Sequence, residues 1–400
     1  MKLKHASLLE DLKGKEKIKV VFLVINTSVW KVDIVFKKML EDPLFDPEIL
    51  VCPYTLHGEK RMLEDMEKTY NYFSEKNYPV RVSINKNGDW VKLEEVKPDI
   101  VFFTNPHKLT YKEYYENAYL NYLSCYVPYF TDIASDYNLQ SVYNQLFHNA
   151  IWINFVGSEY SYQRAYRVAS NKGVNLLVSG NLTIEEIIHA EKTSKKAWKF
   201  QKDIKKKIIY APHQSVNKNE SPNLSTFLEF AESIKKLAIK YESETQWSFK
   251  PHTLLKEKLY LHSDWGKERT DNYYSFWDKS NNTQLDTGGY AGLFMESDAI
   301  IHDCGSFILE YLITKKPCGY LLFNEKRQLA AINDFGLQAL ECYERLRSSS
   351  DIEIFIKNII ECKYIKNKKY SEFIYNNMQP VYYRAKPSDV IIEELKGRLL

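Results

Sequence analysis

The stretch IHDCGSFILEYL, residues 301–312, reads as a buried strand that stops at Asp303-Cys304-Gly305-Ser306 and restarts as an apolar-periodic helix carrying one acid, Glu310. A strand that ends in small and polar residues and feeds a helix exposes the first N–H groups of that helix, where an anion can approach. Glu310 lies four residues after Ser306 on the same helix face, within reach of ribose hydroxyls. The plainer reading makes Ser306 an N-cap and Glu310 a solvated first-turn acid that favours the helix dipole.

Two other stretches follow the same plan. In WSFKPHTLL, residues 247–255, Lys250 and His252 flank a proline that stops the strand, bringing a cation and an imidazole to the strand's end. Lys250 supplies charge, and His252 can donate to a phosphate oxygen or a leaving group. In IIYAPHQS, residues 208–215, a strand again runs into Ala211-Pro212-His213. Loops at the carboxyl ends of parallel strands are where open α/β sheets bind ligands, so three such strand ends favour one site over three idle loops.

The elements that must position these loops are legible as alternating strand and helix. IKVVFLVI, residues 18–25, is a β-branched run bounded by lysines before and Asn26-Thr27-Ser28 after. Helix near 30–40, strand near 48–52, helix near 60–76 and strand near 99–103 follow, then strands near 124–127, 151–155 and 175–178 with a helix at 159–170. A second series opens at 207–210 and continues with a helix at 225–241 and strands at 246–250, 299–302 and 319–323. The fold class is therefore α/β: two Rossmann-like doubly wound lobes in tandem, facing an interdomain cleft. The expected boundaries are 1–182 for an N-terminal lobe, 183–206 for a charged helical connector, 207–350 for a C-terminal lobe, and 351–400 for helices that pack back across the lobes.

Composition narrows the classes. Four hundred residues with 44% hydrophobic content suffice for two cores, and a net charge of +3 gives no electrostatic case for nucleic acid. Six cysteines without a C-x-x-C pair read as reduced cytosolic thiols rather than a metal framework. No segment approaches the roughly 20 apolar residues of a spanning helix, so the expectation is a cytoplasmic protein whose membrane contact, if any, is peripheral. Thirty tyrosines suit surfaces that meet hydroxyl-rich partners, and equally an AT-rich coding bias.

YAPH (210–213), FKPH (249–252) and ESDAIIHDCGSFILEYLITKKPCGYL (296–321) together resemble the CDP-glycerol glycerophosphotransferase family of teichoic-acid and capsule synthesis, and SYQRAYRVASNKGVNLLVSGNLTIEEI (161–187) is similar to the stretch closing that family's N-terminal lobe. The resemblance implies a GT-B fold with His252, Ser306 and Glu310 in the donor site and Asp303 shaping its loop, joined by Lys250, His213 and Gly305 from the reading above. It implies transfer of a polyol phosphate from a CDP-activated donor to a saccharide or lipid-linked acceptor, with no cofactor and no metal.

The chain departs from the family pattern in two places. Gly305-Ser306 stands where the family commonly has two serines. The N-terminal W-H-G-T-P block that carries the family's proposed base is absent, and the corresponding segment, CYVPYFTDIASDYN (125–138), lacks histidine. Asp132 in that segment and His107 after DIVFFTNPH are the candidate bases; both could equally cap turns. Asp136, four residues beyond Asp132, belongs to the same unassigned region. Two rivals stay open: a nucleotide-sugar glycosyltransferase of the same fold, and a nucleotide-binding scaffold without catalysis.

Overall fold

A computed structural model of the 400-residue chain describes every residue except 136–138, 191–196, 218–219, 366–367 and 379–384. The chain forms two compact units, Met1–Phe130 with Asn138–Leu182 and Val381–Leu400, and Thr131–Tyr137 with Thr183–Pro380.

The first unit is built on seven parallel strands: β1 (Ile18–Val24), β2 (Phe45–Val51), β3 (Val80–Val82), β4 (Ile100–Phe103), β5 (Leu123–Tyr126), β6 (Ile153–Val156) and β7 (Leu176–Val178), in the order β3-β2-β1-β4-β5-β6-β7. Successive side chains of a strand point to opposite faces. Val20, Phe22 and Val24 enter one apolar cluster and Val21, Leu23 and Ile25 another. Both faces are covered, which is why β1 is an unbroken apolar run rather than an alternating one. The C-terminal helix Pro387–Leu399 packs on helix Asp33–Glu41 through the ion pairs Lys38–Asp389 and Lys396–Asp42.

The second unit holds six parallel strands: β8 (Lys206–Ala211), β9 (Thr245–Phe249), β10 (Thr283–Leu285), β11 (Ala299–His302), β12 (Cys318–Leu321) and β13 (Glu344–Leu346), ordered β10-β9-β8-β11-β12-β13. The chain begins at β8, winds outward through β9 and β10, then returns to the other side of β8 at β11. In each sheet the winding therefore reverses beside its first strand, between β1 and β4 and between β8 and β11. Open α/β sheets bind ligands beyond the carboxyl ends of their strands at such a switch point.

Three local expectations need correction. The helix expected from Ser306 is a single α-turn, Phe307–Glu310, followed by the 3-10 turn Leu312–Thr314. Side chains on its face are buried, so tertiary packing rather than helix length fixes it. The charged connector is helical only over Leu182–His189, with Ile184 and Ile187 buried; residues 197–205 have no helix, and 191–196 lie outside the described residues. Thr131–Tyr137, read as part of the N-terminal lobe, groups with the second unit. Ala134 bridges Ile332, the Ser135 N–H donates to the Ala331 carbonyl at 3.0 Å, and the Asn333 N–H donates to the Ile133 carbonyl at 2.8 Å.

Candidate functional site

Adjacent strands β9, β8 and β11 bring three loops to one edge of the second sheet, carrying Lys250 and His252, His213, and Asp303 to Ser306. Asp303 joins two of them. Its carboxylate is fully buried and accepts the His213 backbone N–H on one oxygen, and the Thr226 N–H (2.6 Å) and hydroxyl (2.9 Å) on the other. Burial pushes its pKa up to about 6 while those donors pull it down. Asp303 thus joins the loops after β8 and β11 at the switch point.

The His213 and His252 rings meet edge to face, with centroids 5.4 Å apart. The Ser215 hydroxyl accepts the Leu224 and Ser225 N–H groups at 2.9 and 3.1 Å, leaving its proton for His213 Nδ1 at 2.8 Å. The Ser215 N–H also points at Nδ1, 3.3 Å away. In His252, Nδ1 accepts the Leu254 N–H at 3.2 Å. A ring nitrogen that accepts carries no proton, so each neutral imidazole bears its hydrogen on Nε2. Burial, aided by the positive charges of Lys258 and Lys250, lowers the His252 pKa to about 4; burial with His252 and Lys258 lowers that of His213 to about 3. Both rings are neutral N–H donors at pH 7.

Lys250 is buried to 7% exposure, with Nζ donating to the Gly288 carbonyl at 2.7 Å and lying 5.8 Å from the centre of the Tyr290 ring. Ser306 sits in helical conformation and makes no side-chain cap. Gly305 has an apolar surrounding: a Cβ there would stand 2.7 Å from Ile133 Cδ1 and 3.5 Å from Leu224 Cδ1. The missing side chain at 305 therefore makes room for Ile133.

Glu310 is not the solvated first-turn acid of the plainer sequence reading. It is 2% exposed, and its two carboxylate oxygens accept the Thr131 and Tyr290 hydroxyls, each at 2.7 Å. Asp132 is 9% exposed; the Asn333 amide donates to its backbone carbonyl at 3.1 Å and lies 3.5 Å from Oδ1. Asp136 lies outside the described residues.

His107 belongs to the first unit, in the loop after β4 at that sheet's switch point. Tyr115 donates to the Pro106 carbonyl at 2.6 Å, and the Asn105 amide and Leu109 N–H both donate to the His107 carbonyl at 2.8 Å. Burial lowers its pKa. Nothing local to Thr131 or Gln145 in the sequence marks the distant group its hydroxyl or amide bonds, nor to Tyr290 the acid twenty residues on, whereas Ser215 stands two residues from the His213 ring it bonds. Among the described residues, no group of three or more His, Cys, Asp or Glu side chains is placed to hold a metal ion.

These two switch-point sheets and their crossovers define a protein with the GT-B type of α/β fold. No family model matches the chain, and no curated protein matches its sequence. Solved structures do. The S. aureus MnaA–UDP co-structure aligns with TM-score 0.57 and 14% identity over 96% of this chain and 97% of that one. UDP-GlcNAc 2-epimerase from Neisseria meningitidis bound to UDP-GlcNAc gives 0.55 and 16% over 95% and 100%. A variant of the wall teichoic acid polymerase TagF gives 0.59 and 14% over 99% and 93%. At these identities the likeness is one of fold.

Proposed function

We propose that this protein is a transferase that binds a nucleoside-diphosphate-activated donor at the carboxyl edge of its second sheet, and that the donor is a CDP-activated polyol. The observation that carries the reading is the pair His213 and His252, held as neutral Nε2–H donors at the ends of neighbouring strands beside the Asp303 bridge. Neutral donors suit a pyrophosphate, which accepts hydrogen bonds and gains negative charge on the departing oxygen. Lys250 adds positive charge within the same set of loops. The YAPH, FKPH and HDCGS blocks support the CDP-polyol form, as does a fold shared with a wall teichoic acid polymerase.

In this mechanism an acceptor hydroxyl of a surface polysaccharide or lipid-linked saccharide attacks the β-phosphorus. The new P–O bond forms as the bond to the bridging oxygen breaks, and CMP leaves with that oxygen. The acceptor's proton passes to a base, for which Asp132 is the carboxylate candidate. The reaction as written needs no cofactor and takes place in the cytoplasm, peripherally at the inner face of the membrane where such acceptors are made. No helix among the described residues is long and apolar enough to cross a membrane.

A nucleotide-sugar enzyme is the second reading, favoured by the UDP and UDP-GlcNAc in the structures that share the fold. The test is release of CMP from CDP-glycerol, or of UDP from UDP-GlcNAc, in the presence of a saccharide acceptor. CMP release that falls on the order of 10²-fold in His252→Ala supports the phosphotransferase. Turnover unchanged by that substitution overturns the role given to His252, and UDP release moves the protein to the second reading.

A further inference from the structure

The first unit presents one histidine at its switch point, and its partner settles what that histidine can do. Gln145, the residue before helix Leu146–Ala150, places its side-chain amide nitrogen 3.1 Å from His107 Nδ1. The same nitrogen also bonds the Ser141 carbonyl. An amide turned the other way would set its oxygen against that carbonyl, so the NH2 group must face Ser141. One of its hydrogens goes to Ser141 and the other to His107 Nδ1. The backbone N–H of Gln145 meanwhile points at Nδ1 of His148, 3.3 Å away. The loop backbone is held at the His107 carbonyl by Asn105 and Leu109 and at the Pro106 carbonyl by Tyr115, so the ring starts from a fixed position beside this amide.

We infer that His107 is held by Gln145 as the Nε2–H tautomer and acts on a bound oxygen as a hydrogen-bond donor, not as the base that deprotonates the acceptor. Gln145 is then a positioning residue, acting only through His107. The inference rests on the proposed transferase reading and adds to it that the acceptor hydroxyl is taken up by the first unit. A nitrogen that already carries a proton cannot take another, and Nδ1 is occupied by the Gln145 amide. The Nε2–H can, however, hold an acceptor oxygen in line or steady charge on it, as His213 and His252 do for the donor. All three histidines of the candidate sites thereby present the same Nε2–H face, and proton removal falls to a group other than histidine.

Nitrogen-15 NMR of the full-length protein labelled at histidine, at pH 7.5, reads the tautomer directly, with His107 assigned by its loss in His107→Gln. The expected spectrum shows an unprotonated Nδ1 and a protonated Nε2, and Gln145→Glu, whose carboxylate accepts from Nδ1–H, reverses the pattern. A protonated Nδ1 in the unsubstituted protein overturns the inference. Turnover gives a second readout. The glutamine amide can stand in for Nε2–H but cannot serve as a base, so His107→Gln should stay within about tenfold of the parent while His107→Ala falls about 10²-fold. Equal loss in both variants would restore the base. If no variant or parent turns over any donor, the functional reading fails, and the NMR pattern still decides the tautomer.

Discussion

The Thr131 hydroxyl donates to the Glu310 carboxylate at 2.7 Å although 179 residues separate them in the chain. Tyr290 supplies the second hydroxyl, also at 2.7 Å. Glu310 thus ties the 131–137 segment to the body of the second unit. Thr131→Val removes that donor from a buried carboxylate and should cost about 1–2 kcal/mol. Chemical denaturation should show a lower midpoint with unchanged slope. A midpoint equal to the parent's would show that the contact contributes nothing to stability.

Ile133 on the same segment lies against two glycines, and the two should respond differently. The one close approach to a Cβ at Gly305 is the end of the Ile133 side chain, 2.7 Å away, which can rotate aside, while Leu224 Cδ1 stands at an ordinary contact distance of 3.5 Å. A Cβ at Gly336 meets Ile332 Cγ2 at 2.5 Å and Ile133 Cβ at 3.2 Å, both close to the backbone. Gly305→Ala should cost roughly 1 kcal/mol and Gly336→Ala at least 2 kcal/mol. Ile133→Ala should relieve the first substitution in a double-mutant cycle. The reverse order of costs would contradict this account of the packing.

The pH dependence has a defined sign. His213 and His252 have pKa values lowered from 6.5 to about 3 and about 4, as do His5 (about 4), His148 (about 3) and His302 (about 3), all chiefly by burial. Between pH 6.5 and 4 the unfolded chain binds more protons at these sites than the folded one, so stability is lost as pH falls through that window. Asp303, raised to about 6, works the other way between pH 6 and 3.8, and five histidines outweigh it. Denaturation midpoints should therefore decline from pH 7 to 5, above the range where carboxylates ordinarily titrate. His213→Gln should shallow that decline. A flat profile from pH 7 to 5 would be inconsistent with neutral buried imidazoles.

Much of this scaffold can be read from residue order. β1 and β4 are nearly unbroken runs of Val, Ile, Leu and Phe, and β8 and β11 each carry a buried Ile-Ile pair, because both faces of a central parallel strand are buried; β9, TQWSF, is buried throughout but mixed in composition, and the residues that end these strands mark the loops carrying His107, His213, Lys250, His252 and Asp303. The outer strands β3, β10 and β13 span three residues each and show no period to detect. The helix after Ser306 misleads because an apolar stretch with helical spacing resembles a long helix, whereas packing ends it after one turn. The partners that define each group's chemistry are the least legible. Asp132 meets Asn333 from 201 residues away, and His107 meets Gln145 from 38 away, contacts that only the folded topology creates.

The central claim is that the edge formed by β9, β8 and β11 binds a cytidine diphosphate through neutral imidazole donors. Calorimetric titration of the full-length protein with CDP-glycerol, CDP, CMP and UDP, repeated on His252→Ala, tests it most directly. The account predicts selective binding of CDP and CDP-glycerol, weakened about tenfold or more by the substitution as one charge-assisted hydrogen bond is lost. Binding of none of these nucleotides, or cytidine diphosphate binding untouched by the loss of His252, would contradict it.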